Sequence, residues 1–167
     1  MATWGADEAV SQLYAAHYTR LVRLATLLLH DRGVAEEIVQ DCFVAMHGRW
    51  GRLRDPDKAA AYLRSAVVNR SRSALRRRAV AAKHSPSVVG TAPSAEVTAL
   101  EREQRAEVLV ALDSLSQRQR EVLVLRYYLD LSEADIADTL RISRGAVKSH
   151  SSRGLAALRT TWGARDE

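Results

Sequence analysis

Apolar residues recur at helical spacing along almost the whole chain, and no stretch sustains the alternation of a half-buried strand. This pattern predicts an all-α protein. A first helix is expected from about Asp7 to His30, with Leu13, Leu21, Leu24 and Leu28 inward, and Gly33 is expected to end the turn after it. A second helix over about Val34 to His47 sets an apolar stripe (Ile38, Phe43, Met46) against an acidic face. Asp55 followed by Pro56 starts a third helix, expected to run to about Arg78, because proline at the first helical position wastes no backbone donor.

Residues 79–95, AVAAKHSPSVVGTAPSA, break the periodicity with Pro86, Gly90 and Pro93 among small residues and read as a linker. Beyond them Ser94 is expected to cap a helix through about Asp113. Ser116 with Gln119 has the spacing of a capping box, and Ser132 and Ser143 mark two further helix starts. The organisation expected is two small helical domains, 7–78 and 96–162, joined by a flexible tether. With 167 residues, 47% of them hydrophobic, the chain has enough apolar material for both.

Charge is distributed unevenly. Residues 47–84 hold eleven Lys or Arg against two Asp, whereas 96–138 hold ten acids against five bases. A polyanion would be drawn to the first zone and repelled by the second. The single Cys42 cannot form an internal disulfide, and the scattered histidines have no partner at ligand spacing, so neither metal nor cofactor is expected. The opening MATWGADEAV lacks the features of a secretory signal, and the longest apolar run is far too short to span a bilayer. A cytoplasmic setting is expected. No phosphate-binding loop or nucleophile elbow is present, so the chain does not read as an enzyme.

Three polar faces carry the functional information. The segment SEADIADTLRISRGAVKSHSSRGLAALR gives a short helix, a tight turn and a second helix, the geometry of a helix-turn-helix. With Val147 inward, Gly154, Leu158 and Trp162 fall on its side, while Lys148, Ser149, Ser152 and Arg153 form an arc on the other, with Arg144 near the start. On the third helix Leu63, Val67 and Ala74 share a face opposite Ser65, Asn69, Arg72 and Arg76, and Arg77 and Arg78 extend the cationic stripe. The second helix offers Glu36, Glu37, Gln40 and Asp41. For each face the alternative is a merely solvated surface; for the third helix the scarcity of balancing acids favours a polyanion.

The motifs resemble those of an extracytoplasmic-function (ECF) RNA polymerase sigma factor of the sigma-seventy superfamily, in a style similar to the SigE-type actinobacterial group. LYAAHYTRLVRLATLLLHDRGVAEEIVQDCFVAMHGRW and AYLRSAVVNRSRSALRRR resemble region 2, and LDSLSQRQREVLVLRYYLDLSEADIADTLRISRGAVKSHSSRGLAALR resembles region 4. The resemblance implies an initiation subunit that joins core RNA polymerase as a monomer, touching the β′ clamp helices and the β flap, and directs it to promoter DNA. It assigns Glu36, Glu37, Gln40 and Asp41 to core polymerase, Ser65, Asn69, Arg72 and Arg76 to the minus-ten element, and Arg144, Lys148, Ser149, Ser152 and Arg153 to the minus-thirty-five element. An anti-sigma factor is a further implied partner. Region 4 alone also resembles the DNA-binding domain of LuxR-type regulators, and a stand-alone regulator is the alternative reading.

Overall fold

The computed structural model describes residues 5–83 and 98–164, and these fall into two compact units. Every regular element among the described residues is helical.

In the first unit, α1 (Ala6–Leu29), α2 (Arg32–Arg49) and α3 (Ala59–Ala82) pack against one another. Helix α1 stops at His30, whose backbone turns left-handed (φ 56°) and whose N–H donates to Thr26 O at 2.7 Å. Asp31 then restarts the chain as a helix by accepting from Val34 N–H at 3.1 Å. Gly33 therefore lies inside the first turn of α2, two residues past the cap, instead of ending the connection. The local cap wins because it satisfies a backbone donor that would otherwise be orphaned.

After α2 come two short 3₁₀ turns, Trp50–Arg52 and Pro56–Lys58, the second capped by Asp55, which accepts from Asp57 N–H. Helix α3 follows and continues past Arg78 to Ala82, so residues 79–82 are helical and do not belong to a linker. Nothing in that stretch breaks a helix, since alanine and valine follow the arginines. Lys83 follows as the C-cap of α3, and residues 84–95 of the expected linker, including the expected cap Ser94, lie outside the described residues. Leu24, Val39, Leu63 and Val67 are 0% exposed and form the centre of this unit. Burial of each such side chain contributes on the order of 2 kcal/mol. Cys42 is buried in the same layer.

The second unit is built of shorter helices, each started by a side-chain cap. Helix α4 (Ala99–Asp113) begins at Thr98, which forms a capping box with Glu101. Helix α5 (Gln117–Leu123) begins with the Ser116–Gln119 box expected from the sequence. Ser132 caps α6 (Glu133–Leu140) and Ser143 caps α7 (Arg144–Gly163). Helix α5 does not run on as a regular α-helix: Val124–Tyr128 form a π-helical turn, closed by Leu129 N–H to Val124 O at 3.4 Å. Helices α4, α5 and α6 all pack on α7, around Val122, Leu125, Ile136 and Val147. At Gly154 the approach of α5 is so close that a Cβ would lie 2.9 Å from Leu123 Cδ1 and 3.3 Å from Gln119 Cβ.

Candidate nucleic-acid interface

Helices α6 and α7 enclose a turn of three residues. Arg141 takes the left-handed conformation (φ 55°) and its N–H donates back to Ala137 O, which stops α6; Ser143 Oγ accepts from Ala146 N–H at 3.0 Å, which starts α7. A left-handed non-glycine residue costs on the order of 1 kcal/mol, and the two satisfied termini offset it. The turn thus fixes the angle at which α7 leaves the domain.

On α7 the inward side is Val147, Ser151, Gly154 and Leu158, all buried. Arg144, Lys148, Ser152 and Arg153 are exposed along the outer side. Ser149 is half-buried and lies at the edge of this arc. Trp162, expected inward, is 48% exposed. At 100° per residue it has rotated about 60° from Val147, and the packing role passes to Thr161, half-buried with its hydroxyl 3.4 Å from that of Ser114.

Two features near this arc were not legible from periodicity. The π-turn inserts an extra residue before the helix ends; Leu125 stays fully buried while Tyr127 stands out, 63% exposed, with the Arg126 guanidinium 6.0 Å from its ring centroid. And Glu133, the first residue of α6, sits between two cations, with Lys148 Nζ 3.8 Å from its Oε2 and Arg126 Nη1 4.0 Å from its Oε1.

The stripe on α3 is less uniform than its composition indicates. Asn69, Arg76 and Arg77 are exposed, whereas Ser65 and Arg72 are half-buried. Arg78 does not extend the stripe: it turns inward, donating to Leu29 O at 2.9 Å and to Asp31 Oδ2 at 3.4 Å. The helix-end carbonyl of Leu29 and the capping carboxylate of α2 together form an acceptor pair that a guanidinium fork fits. On α2, Glu37 and Gln40 are exposed, Glu36 accepts from Arg32 Nε at 3.0 Å, and Asp41 lies 4.0 Å from Arg70 of α3. Among the described residues no three His, Cys, Asp or Glu side chains gather as a metal site, and no helix is long and apolar enough to cross a membrane.

Two family models match the chain: Sigma-70 region 2 over residues 13–80 and Sigma-70, region 4 over residues 105–158. The RNA polymerase sigma-E factor of Streptomyces avermitilis is 32% identical over 146 residues, which cover 87% of this chain and 80% of that protein. The chain belongs to the RNA polymerase sigma factors. The ECF RNA polymerase sigma factor SigM of Mycobacterium tuberculosis, 31% identical across 90% of this chain and 75% of its own length, places it in the ECF group. Among solved structures, CnrH in complex with the cytosolic domain of CnrY superposes with a TM-score of 0.72 at 27% identity, covering 95% of both chains. The sigma factor RpoE in complex with the anti-sigma factor NepR from Bartonella quintana gives a TM-score of 0.72 at 23% identity over 90% of this chain and 94% of its own. As a sigma factor the protein is an initiation subunit that binds core RNA polymerase and directs it to promoter DNA. The region 2 match sets aside the stand-alone LuxR-type reading, which needs no such domain.

Proposed function

We propose that the two helical domains divide promoter recognition between them. The second reads the minus-thirty-five element through Arg144, Lys148, Ser149, Ser152 and Arg153. The observation that carries this is the exposed basic arc of α7 set directly opposite its buried face, on the second helix of a tight helix-turn-helix. Such a helix can enter the major groove with arginine and lysine available to guanine edges and phosphates.

The first domain binds core polymerase through Glu36, Glu37, Gln40 and Asp41, and captures the separated minus-ten strand through Ser65, Asn69, Arg72 and Arg76. Asparagine offers a donor and an acceptor to a base edge, while arginine suits the backbone of single-stranded DNA. The sigma factor supplies recognition and strand capture in the cytoplasm as one copy per polymerase, and the catalytic centre belongs to the core enzyme. The RpoE neighbour is held by an anti-sigma factor, and a comparable inhibitor is the regulatory partner this reading implies.

The test is transcription with purified core polymerase on a pooled promoter library, with permanganate reactivity of unpaired thymines as readout. Melting at a two-part promoter that depends on both elements is the expected result. Failure of the wild-type protein with core enzyme to open any promoter would defeat the reading.

A further inference from the structure

The basic arc of α7 is not free of acids, because Glu133 is built into its edge. Lys148 Nζ stands 3.8 Å from Glu133 Oε2, and Arg126 stands 4.0 Å from Glu133 Oε1. Glu133 Oε2 is itself buried and accepts no hydrogen bond. Its neighbours are the two cations and the amino-terminal end of α6, where Glu133 is the first residue and the helix dipole favours an anion. The Glu133 side chain is 25% exposed, whereas the lysine it faces is 69% exposed along its side chain and can swing away.

We propose that Glu133 acts as an internal competitor for phosphate that tempers the affinity of α7 for DNA. It holds the Lys148 ammonium against the protein and so lowers sequence-independent attraction to DNA. This inference rests on the assignment of Lys148 to the minus-thirty-five interface. When the duplex arrives, Lys148 must exchange the Glu133 carboxylate for a phosphate, and the exchange releases less free energy than engagement of an unpaired lysine. Any duplex presents phosphates, so this reduction applies to promoter and non-promoter sequences alike: it weakens and shortens every DNA contact while base contacts from the rest of the arc still set the preference among sequences.

The experiment measures binding of the reconstituted holoenzyme, across a salt series, to a promoter and to the same fragment with a scrambled minus-thirty-five element. Glu133→Gln preserves shape and removes the charge. It is expected to tighten binding to the promoter and to the scrambled fragment alike, roughly 2–5-fold at about 0.1 M salt. Glu133→Asp, which keeps the charge, is expected to retain the wild-type affinity, and Glu133→Gln combined with Lys148→Ala is expected to lose the gain. Glu133→Ala removes the same charge without placing an amide in the pocket and gives the same reading if the glutamine variant misfolds. If Lys148→Ala weakens binding and flattens the salt slope but Glu133→Gln and Glu133→Ala leave affinity unchanged or weaker, the competitor role is overturned and the interface assignment stands. If Lys148→Ala alters neither affinity nor slope, the assignment of Lys148 falls, and the inference with it.

Discussion

Helices α3 and α7 are both long, both basic and both backed by an apolar face, yet they deploy their cations differently. On α3 Arg78 is bound to Leu29 O and Asp31, and Arg70 faces Asp41, so part of the charge holds the first unit together. On α7 Arg144 and Arg153 stand in solvent, and Lys148 faces Glu133. A count of arginines along a helix therefore overstates what is available to a polyanion wherever the neighbouring helix ends present unsatisfied acceptors. The same contrast holds on the packing faces. Helix α7 uses Gly154 to admit Leu123, while α3 buries Ser71 with its hydroxyl unpaired.

The packing contrast yields the largest expected effect. Gly154→Leu drives a branched side chain into Leu123 and Gln119 and should destabilise the second unit by about 3 kcal/mol, read from urea unfolding. An unchanged midpoint would show that the α5–α7 contact can relax.

Next in size is base reading. Arg153→Ala should lose about 2 kcal/mol of discrimination at one position of a randomised minus-thirty-five element if its contact is bidentate. Asn69→Ala on α3 should instead leave closed-complex formation intact and lower permanganate reactivity on duplex promoters, with activity recovered on a pre-melted bubble. Equal effects of the two variants on both assays would erase the division of labour between the helices.

The cation contrast gives a smaller pair. Arg78→Ala strands the α1 carbonyl and the α2 cap and should cost about 1–2 kcal/mol, whereas exposed Arg77→Ala should stay within about 0.5 kcal/mol. Thermal melts of the two variants that coincide would mean that the Arg78 bonds contribute nothing net. Smallest is Ser71→Ala, which removes a buried hydroxyl that has no partner and should be neutral or slightly stabilising by the same measurement.

How much of this was legible follows from where each determinant lies. Caps act within three or four residues, so Ser116, Ser132 and Ser143 announced their helices directly, whereas Asp55, expected to cap α3, caps only the 3₁₀ turn that precedes it. The inward faces of α3 and α7 were readable for the same reason, since Leu63, Val67, Val147 and Leu158 follow helical spacing. The inward turn of Arg78 was not, because its acceptors lie 47 and 49 residues away in sequence. Nor was the π-turn, which sets aside the regular spacing on which the reading of α5 rested, nor the pairing of Glu133 with Lys148, which depends on the angle between α6 and α7. Trp162 was misplaced because a helical face drifts over four turns.

Cys42 is the only cysteine in the chain and is 2% exposed, and its thiol is pushed up to about 11, chiefly by burial. Alkylating reagents attack the thiolate, so the folded protein should react very slowly at neutral pH. Modification then has to wait for α1, α2 and α3 to part, and with excess reagent its rate reports how often they do. Helices α4 to α7 carry no thiol and stay silent in such a measurement. The native sequence thus contains a stopwatch for the opening of one domain, usable on the intact protein without any substitution.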